Sequence, residues 1–240
     1  MYKVRSYRGW VQGRDLAGFR VQIDKSDLFI RADKRLLSFA RDSLRRQRGL
    51  LEEYIRRTPQ FASALKPCAV PHSAPEIIQQ MSWASFSAGV GPMAAVAGAI
   101  AEYVGRDLLK YAKEVIVENG GDIFLRSAVA RRVGIFAGKS PYTGKLALQL
   151  RGQDEPLGIC TSSGTVGPSL SFGRADACVV ICDSAILADA WATRLGNMAG
   201  SAADIEKTVK FAKGRKEIKG IVLIIGDKIG VWGRIKLVSS

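Results

Sequence analysis

The chain has 240 residues, 47% hydrophobic and 24% charged, and this composition excludes a disordered or fibrous protein. Its net charge is +14, and residues 1–66 hold 16 Lys and Arg against 7 Asp and Glu, a surplus that attracts anions such as nucleotide phosphates. Met1–Trp10 lacks the apolar stretch of a secretory signal. The four cysteines form no CxxC pair, which argues against a zinc site and indicates the reduced, buried thiols of a cytoplasmic protein.

The N-terminal part alternates apolar and polar residues. This pattern predicts strands at Tyr2–Gln12 and Phe19–Ala32, joined by a turn at Gly13–Gly18. Helical spacing of apolar residues predicts a helix over Lys34–Arg57, with Asp33 as its cap and an arginine-rich face in solvent. Four prolines then predict a loop that ends before residue 76.

Two helices are predicted next, over Glu76–Ser87 and Met93–Lys113. Gly91 and Pro92 precede the second helix, whose first backbone N–H groups would attract phosphate. Close packing of a helix rich in small residues explains the same pattern. The Ala- and Gly-rich run Ala84–Val104 reads as a buried helix and not as a membrane span.

After residue 113, strands and helices are interspersed, which favours an α+β fold with a mixed, largely antiparallel sheet packed by helices. No repeat or low-complexity linker divides the chain, so we expect a single domain over residues 1–240, with a basic part (1–66) and a motif-bearing core (85–200). Strands are predicted at Glu114–Ala128, Arg132–Ala137, Lys145–Leu150, Ala177–Cys182, Ile221–Ile225 and Gly230–Leu237, and helices at Ser184–Met198 and Asp204–Lys216.

Three segments carry side chains suited to binding a nucleotide or a metal ion. The first is a Gly-Gly pair between Asn and Asp, which suits either close approach of a ligand to the backbone or a plain turn. The second is a run of hydroxyls before a glycine, which could bind phosphate or ribose or be a polar loop. The third places a carboxylate and a hydroxyl four residues apart on one helix face, suited to magnesium or simply facing water. The residues are Asn119, Gly120, Gly121 and Asp122; Thr161, Ser162, Ser163 and Gly164; and Asp189 and Thr193.

The order of these segments resembles the ApbE-like flavin transferase superfamily. Its members show a strand ending in Gly-Gly-Asp, then a Thr-Ser-Gly loop, then an Ala-Asp-Ala-x-Ala-Thr helix. Ala188–Thr193 matches the last and most specific motif. The stretch Gly91–Gly98 indicates a small branch of the superfamily. The resemblance implies an ApbE-like, T-fold-related domain that binds flavin adenine dinucleotide (FAD) with magnesium.

By motif position, the resemblance implies that Asp189 and Thr193 hold magnesium, with a backbone carbonyl near Ala94–Gly98 completing the set. The first two segments would lie along the nucleotide. Typical members transfer the FMN half of FAD to a Ser or Thr of a partner protein. This chain departs from them in two places. Glu118 stands where they carry Asn, and the interval Thr165–Asp176 lacks their His-x-x-Asp-Pro segment.

Several functions follow as alternatives. The first is an ApbE-like protein that binds FAD or FMN with magnesium. The others are an active FAD:protein FMN transferase and a non-catalytic binding or accessory module of redox or sulfur metabolism. If catalysis occurs, Asp176 or metal-bound water would supply acid–base help in place of the absent histidine. An acidic partner or nucleic acid could bind the basic N-terminal part, but the sequence contains no nucleic-acid motif. The sequence leaves oligomer formation and any protein partner open.

Overall fold

The computed structural model of the chain describes residues 11, 13, 15–165, 173–233 and 235–240. Helices and strands alternate irregularly along the chain. The strands are β1 (Ala17–Ile23), β2 (Ser26–Ala32), β3 (Val115–Asn119), β4 (Asp122–Ser127), β5 (Arg131–Gly134), β6 (Leu146–Leu150), β7 (Gln153–Ser162), β8 (Ala177–Cys182), β9 (Gly220–Ile225), β10 (Lys228–Gly233) and β11 (Lys236–Ser239). The helices are α1 (Leu37–Arg57), α2 (Pro59–Ser63), α3 (Glu76–Ala88), α4 (Val96–Leu108), α5 (Ala185–Met198) and α6 (Ile205–Lys213).

Eight strands form the main sheet in the order β1-β2-β3-β4-β7-β8-β9-β10, and three form a second sheet in the order β11-β6-β5. Every pair of neighbouring strands described is antiparallel. One face of the main sheet packs against the helices, and the other face shares a smaller apolar core with the second sheet. The predicted α+β class with a largely antiparallel sheet is confirmed.

The turn predicted at Gly13–Gly18 is present, since the Leu16 N–H donates to the Gly13 carbonyl at 3.0 Å, but the strand predicted after it is divided. Phe19–Ala32 forms two strands, β1 and β2, joined by a turn at Asp24 and Lys25. Asp24 adopts φ +47°, a left-handed conformation that Asp tolerates better than most residues. The predicted strand Tyr2–Gln12 lies outside the described residues except for Val11, which forms a bridge to Val133.

Two further predicted strands are each divided in the structure, and one strand was not predicted. Glu114–Ala128 is a hairpin made of β3 and β4, and Gly230–Leu237 divides between β10 and β11, which lie in different sheets. Strand β7 is missing from the sequence-based prediction because its first four residues are polar or proline and largely exposed. Its pairing with β4 and β8 is what makes it a strand.

The predicted helices are present, α3 one residue longer and the others with shorter ends, whereas the segment predicted as a proline loop begins with the short helix α2. Helix α1 starts at Leu37, and Asp33 does not cap it; its carboxylate accepts a hydrogen bond from the Lys113 N–H at 3.2 Å. Pro92–Ala95 forms a 3-10 turn that leads into α4, which ends five residues before the predicted Lys113.

The apolar run around α3 and α4 is largely buried in the helix-side core. Within the described residues no single helix has the length and apolarity to cross a membrane. Only α3 and Pro92–Leu108 taken together reach those limits, and the two are bent by 104°. All four cysteines are free thiols, and Cys160, Cys178 and Cys182 are buried, as the sequence predicted.

Candidate functional site

The Gly120-Gly121 turn forms one wall of the candidate site. Strands β3 and β4 pair as far as Asn119 opposite Asp122, so the two glycines alone form the loop. Their φ angles, +71° and +112°, favour glycine, as two-residue hairpins require. The Glu118 carboxylate accepts hydrogen bonds from the N–H groups of Gly120 at 2.8 Å and Gly121 at 3.2 Å. The turn is therefore held by a carboxylate of its own hairpin.

Asn119 connects this turn to the start of α4. Its side-chain amide donates a hydrogen bond to the Ala97 carbonyl at 3.1 Å. Since side chains alternate across a strand, Asn119 shares the helix-covered face of the sheet with Val117. The turn and the first residues of α4 thus meet at one end of the sheet.

Asp122 is buried on the same face, at 9% exposure. One of its oxygens, Oδ1, has no hydrogen-bond partner among the described residues. Burial raises the pKa of Asp122 to about 7, and the negative charge of Glu118 acts in the same direction. The Cys160 thiol and the Thr161 backbone N–H oppose this shift by hydrogen bonding to the carboxylate. A buried oxygen without a partner is costly, so the Asp122 carboxyl group favours a proton or a cation.

Asp189 lies opposite, on α5. Its Oδ2 accepts a hydrogen bond from the Gly98 N–H at 2.8 Å, within the first turn of α4. Burial raises the pKa of Asp189 well above its usual range, and the negative charge of Asp122 raises it further. The backbone N–H groups of Gly98 and Ala97 act in the opposite direction. The two carboxyl groups are therefore neighbours that repel each other when both are ionised.

The Cys160 side chain is near both carboxyl groups and contacts the start of α5. Its Sγ also lies 3.3 Å from the Ala185 carbonyl oxygen, so this carbonyl and the Asp122 carboxylate are alternative acceptors for the one S–H. Burial raises the pKa of Cys160, and the charges of Asp122 and Asp189 add to that effect. Both effects favour the protonated thiol over the nucleophilic thiolate.

The end of β7 divides its hydroxyls between two faces. Thr161 shares the face of Ile159, away from the helices, and Ser162 shares the face of Cys160. A methyl group added to Gly196 of α5 would lie 3.4 Å from Ser162 Oγ. The Thr161 side chain therefore does not join Asp189, whereas Ser162 packs against the later part of α5.

The hydroxyl loop after β7 is engaged in its own hydrogen bonds. The Gly164 N–H donates to the Ala175 carbonyl at 2.9 Å, and the Thr165 hydroxyl lies 2.9 Å from an Asp176 oxygen. The other Asp176 oxygen accepts from the Gly226 N–H at 2.7 Å. Asp176 thus holds the loop against the β9–β10 turn. This structural role is an alternative to the acid–base role that the sequence suggested for Asp176.

Thr193 follows Asp189 by one helical turn and is half-buried on the same helix. Among the described residues, no group of three or more His, Cys, Asp and Glu side chains could hold a metal ion. Any cation at Asp122 and Asp189 would therefore need hydroxyl, carbonyl, water or phosphate oxygens as further ligands.

Comparison with known proteins identifies the family to which the chain belongs. The family model described as AbpE bacteria matches residues 8–229. The chain belongs to this family. The motifs at Gly120–Asp122 and Ala188–Thr193 thus lie inside an ApbE-like domain, as their order in the sequence implied.

Relatives named UPF0280 protein cover most of the chain. The protein of Methanocella arvoryzae is 44% identical over 220 residues, which are 90% of this chain and 88% of that protein. The protein of Methanococcus maripaludis is 40% identical over 222 residues, which are 90% of each chain.

Two solved structures share the fold. The Pseudomonas stutzeri flavinyl transferase ApbE, apo form, matches with a TM-score of 0.58 at 13% identity, over 94% of both chains. The flavin transferase ApbE of Vibrio cholerae matches with a TM-score of 0.52 at 16% identity, over 94% of this chain and 97% of that chain.

Within this ApbE fold, Asn119 and Asp189 both hydrogen-bond to the backbone at the start of α4, and Asp122 lies near enough to Asp189 for their charges to interact. Ser163 and Gly164 belong to a separately bonded loop. The sequence-based analysis missed Ala97 and Gly98 as specific partners and Cys160 as a neighbour of both carboxyl groups. It also noted Glu118 only as a departure from the family pattern. An acidic residue in the apolar strand β3 was the one available signal, because a buried carboxylate needs donors.

Proposed function

We propose that this chain binds a flavin nucleotide, FAD or FMN, together with a magnesium ion held at Asp122 and Asp189. The observation that carries the proposal is a pair of carboxyl groups with raised pKa values, Asp122 buried and Asp189 half-buried, of which Asp122 has an oxygen without a hydrogen-bond partner among the described residues. Two such groups disfavour joint ionisation, and a bound divalent cation would remove that cost.

The residues present fit magnesium by their chemistry. Asp122 and Asp189 supply carboxylate oxygens, and Thr193 supplies a hydroxyl from the same helix as Asp189. Magnesium commonly takes one or two protein carboxylates and completes its shell with water and phosphate oxygens. The scarcity of further protein ligands is therefore compatible with a nucleotide-bridged ion. When bound, the ion would neutralise charge on the nucleotide diphosphate.

Three features support a flavin nucleotide as the ligand. The chain belongs to an ApbE-like family, and the fold neighbours are named flavinyl and flavin transferases. The Gly120-Gly121 turn offers a surface without side chains beside the carboxyl pair, where a ligand could approach the backbone. The excess of basic residues favours phosphate-bearing ligands. We assign Asn119–Asp122 as the segment that lies along the nucleotide, with the end of β7 beside it, since a methyl group added to Gly121 would lie 4.0 Å from Thr161.

Transfer of FMN from FAD to a Ser or Thr of a partner protein is the second candidate function. The family resemblance favours it. The sole histidine, His72, is exposed in the segment before α3, and its carbonyl accepts from Gln79. Asp176 is bonded to backbone and to Thr165. We therefore propose nucleotide binding as the primary function, and product analysis separates the two functions.

The binding experiment measures flavin fluorescence in titrations of the EDTA-treated protein with FAD or FMN, with and without magnesium. We expect magnesium-dependent quenching, and we expect Asp189→Asn and Asp122→Asn to weaken it at least tenfold. Asp154→Asn, an exposed carboxylate elsewhere, is the matched control and should bind as wild type does. Equal binding with and without magnesium, or unchanged binding by both site variants, would contradict the proposal.

A second assay incubates FAD, magnesium and this protein, alone and with a cell extract that supplies Ser- and Thr-bearing acceptor proteins, and separates the products by chromatography. Binding without release of AMP supports a binding protein. Release of AMP with FMN attached to a protein Ser or Thr supports the transferase instead.

A further inference from the structure

We propose that Glu102 is a positioning residue for Asp189. It acts through a pair of reciprocal contacts, in which a carboxylate of each of the helices α4 and α5 accepts hydrogen bonds from the N-terminal end of the other. The consequence for magnesium binding rests on the proposed function, whereas the coupling between the two helices does not. Glu102 is almost fully buried, at 1% exposure, and belongs to none of the three sequence motifs.

The Glu102 carboxylate holds the start of α5. Its Oε2 accepts hydrogen bonds from the Ser184 hydroxyl at 2.7 Å and from the Ile186 N–H at 3.2 Å. Ser184 is the N-cap of α5, and its hydroxyl oxygen also accepts from the Leu187 N–H at 3.4 Å. One buried carboxylate therefore fixes the cap and a first-turn N–H of the helix that carries Asp189, where the helix dipole favours negative charge.

Asp189 makes the matching contact in the other direction. It reaches from α5 to the Gly98 N–H in the first turn of α4. Gly98 precedes Glu102 by four residues and Ile186 precedes Asp189 by three, so on each helix the donor and the carboxylate are about one turn apart. Each helix thus supplies a carboxylate to the N-terminal turn of the other.

The two helices touch closely between these bonds. A methyl group added to Gly98 would lie 2.2 Å from the Ala185 carbonyl oxygen and 2.9 Å from Asp189 Cβ. Ala185 is also packed against Gly158 of β7, where an added methyl group would lie 2.3 Å from its backbone. The start of α5 is therefore enclosed on two sides, and a change in its position must move the Asp189 carboxylate relative to α4.

Arg106 completes the arrangement. Its guanidinium pairs with Glu102 Oε1 one turn along α4, while half of the Arg106 side chain is exposed. Glu102 thus uses one oxygen for its cation and the other for α5. A glutamine at this position keeps the size but cannot serve both, because its amide group has one acceptor and one donor end.

The test compares Glu102→Gln with Ser43→Ala. Ser43 donates to Asp107 at 2.6 Å and joins α4 to α1, so its loss weakens an α4 contact without touching α5. Native-state hydrogen exchange is read on peptides covering Gly98 and the start of α5. We expect Glu102→Gln to speed exchange at both, including the distant Gly98 amide, at least tenfold, and Ser43→Ala to leave both as in wild type. Unchanged Gly98 exchange in Glu102→Gln overturns the positioning role, whether or not magnesium binds.

The second readout is the magnesium concentration that gives half-maximal FAD binding. We expect this concentration to rise about tenfold in Glu102→Gln, the lower end of the range seen when a residue that supports a metal ligand is lost. Excess magnesium should restore full binding. Ser43→Ala should leave it unchanged. A midpoint within twofold of wild type in Glu102→Gln, at a temperature where the variant is folded, overturns the proposed link to the metal. Absence of any magnesium effect in the wild type instead refutes the proposed function, and the exchange result then stands alone.

Discussion

The close approach of α4 and α5 at Gly98 leads to the sharpest stability prediction. Gly98→Ala would place a methyl carbon 2.2 Å from the Ala185 carbonyl oxygen and 2.7 Å from its carbonyl carbon. Ordinary carbon contacts lie about 3.5–4.0 Å apart, so the helices must separate by roughly 1 Å. The obstacle is backbone, which cannot rotate away as a side chain could.

The magnitude combines two opposing effects. Overpacking typically costs about 1–3 kcal/mol, and backbone contact places this site at the upper end, near 3 kcal/mol. Alanine in a helix interior recovers about 1 kcal/mol relative to glycine. The net loss in the free energy of unfolding is therefore about 2 kcal/mol, which in a chain of this size lowers Tm by about 4–8 °C.

Gly49→Ala is the matched control. Gly49 lies in α1, exposed, and an added methyl group would meet no atom within 4 Å. This substitution should raise stability by about 0.5–1 kcal/mol through helix propensity alone. Thermal unfolding followed by circular dichroism, with EDTA present, measures both variants. A Gly98→Ala protein as stable as wild type, or shifted in the same direction as Gly49→Ala, would refute the packing described for α4 and α5.

Three further predictions address the site and its frame. The pKa of Asp122 is raised to about 7, so the folded state binds more protons than the unfolded state between about pH 4 and 7. Without metal, the free energy of unfolding should therefore fall by up to about 4 kcal/mol as the pH rises from about 4 to 7. Urea unfolding of Asp122→Asn should show a flatter pH dependence than wild type. Arg131 is 4% exposed and pairs with Glu114 at 2.6 Å, so Arg131→Ala should lower the free energy of unfolding by about 3 kcal/mol, and a loss under 1 kcal/mol in urea titrations would contradict a buried ion pair. Asp176→Asn keeps an acceptor for the Gly226 N–H, so FAD affinity should stay within about twofold of wild type, whereas a loss of tenfold or more would place Asp176 in the binding site.

Local patterns were enough to predict several elements. Strand β8 agrees with its predicted bounds, α3 and α5 agree within one residue, and Ser184 caps α5. Helix periodicity and caps act over a few residues, so one sequence contains that information. The Gly-Gly segment was also informative, although its residues close a hairpin where the prediction had one long strand.

Pairing between distant segments could not be predicted in the same way. Strand β7 begins with exposed polar residues and is a strand because β4 and β8 flank it. The side of the sheet on which Thr161 and Ser162 lie depends on that register, since a shift of one residue exchanges the faces. The sequence suggested that Thr161–Gly164 is one binding loop. In the structure, Thr161 and Ser162 end β7 on opposite faces of the sheet, and Ser163 and Gly164 belong to the loop that follows.

The sequence by itself determined the long helices, including the family-specific helix that carries Asp189, and it marked the Gly-Gly pair as a place for a turn or a close approach. Only the tertiary structure decided that Asp189 meets Gly98 and Asp122, and that Glu102 holds the start of the same helix. The physical reason is that helix and turn formation depend on neighbouring residues, whereas the energy of a buried carboxylate depends on which donors and charges surround it. Those donors and charges come from segments far apart in the chain, and packing alone brings them together.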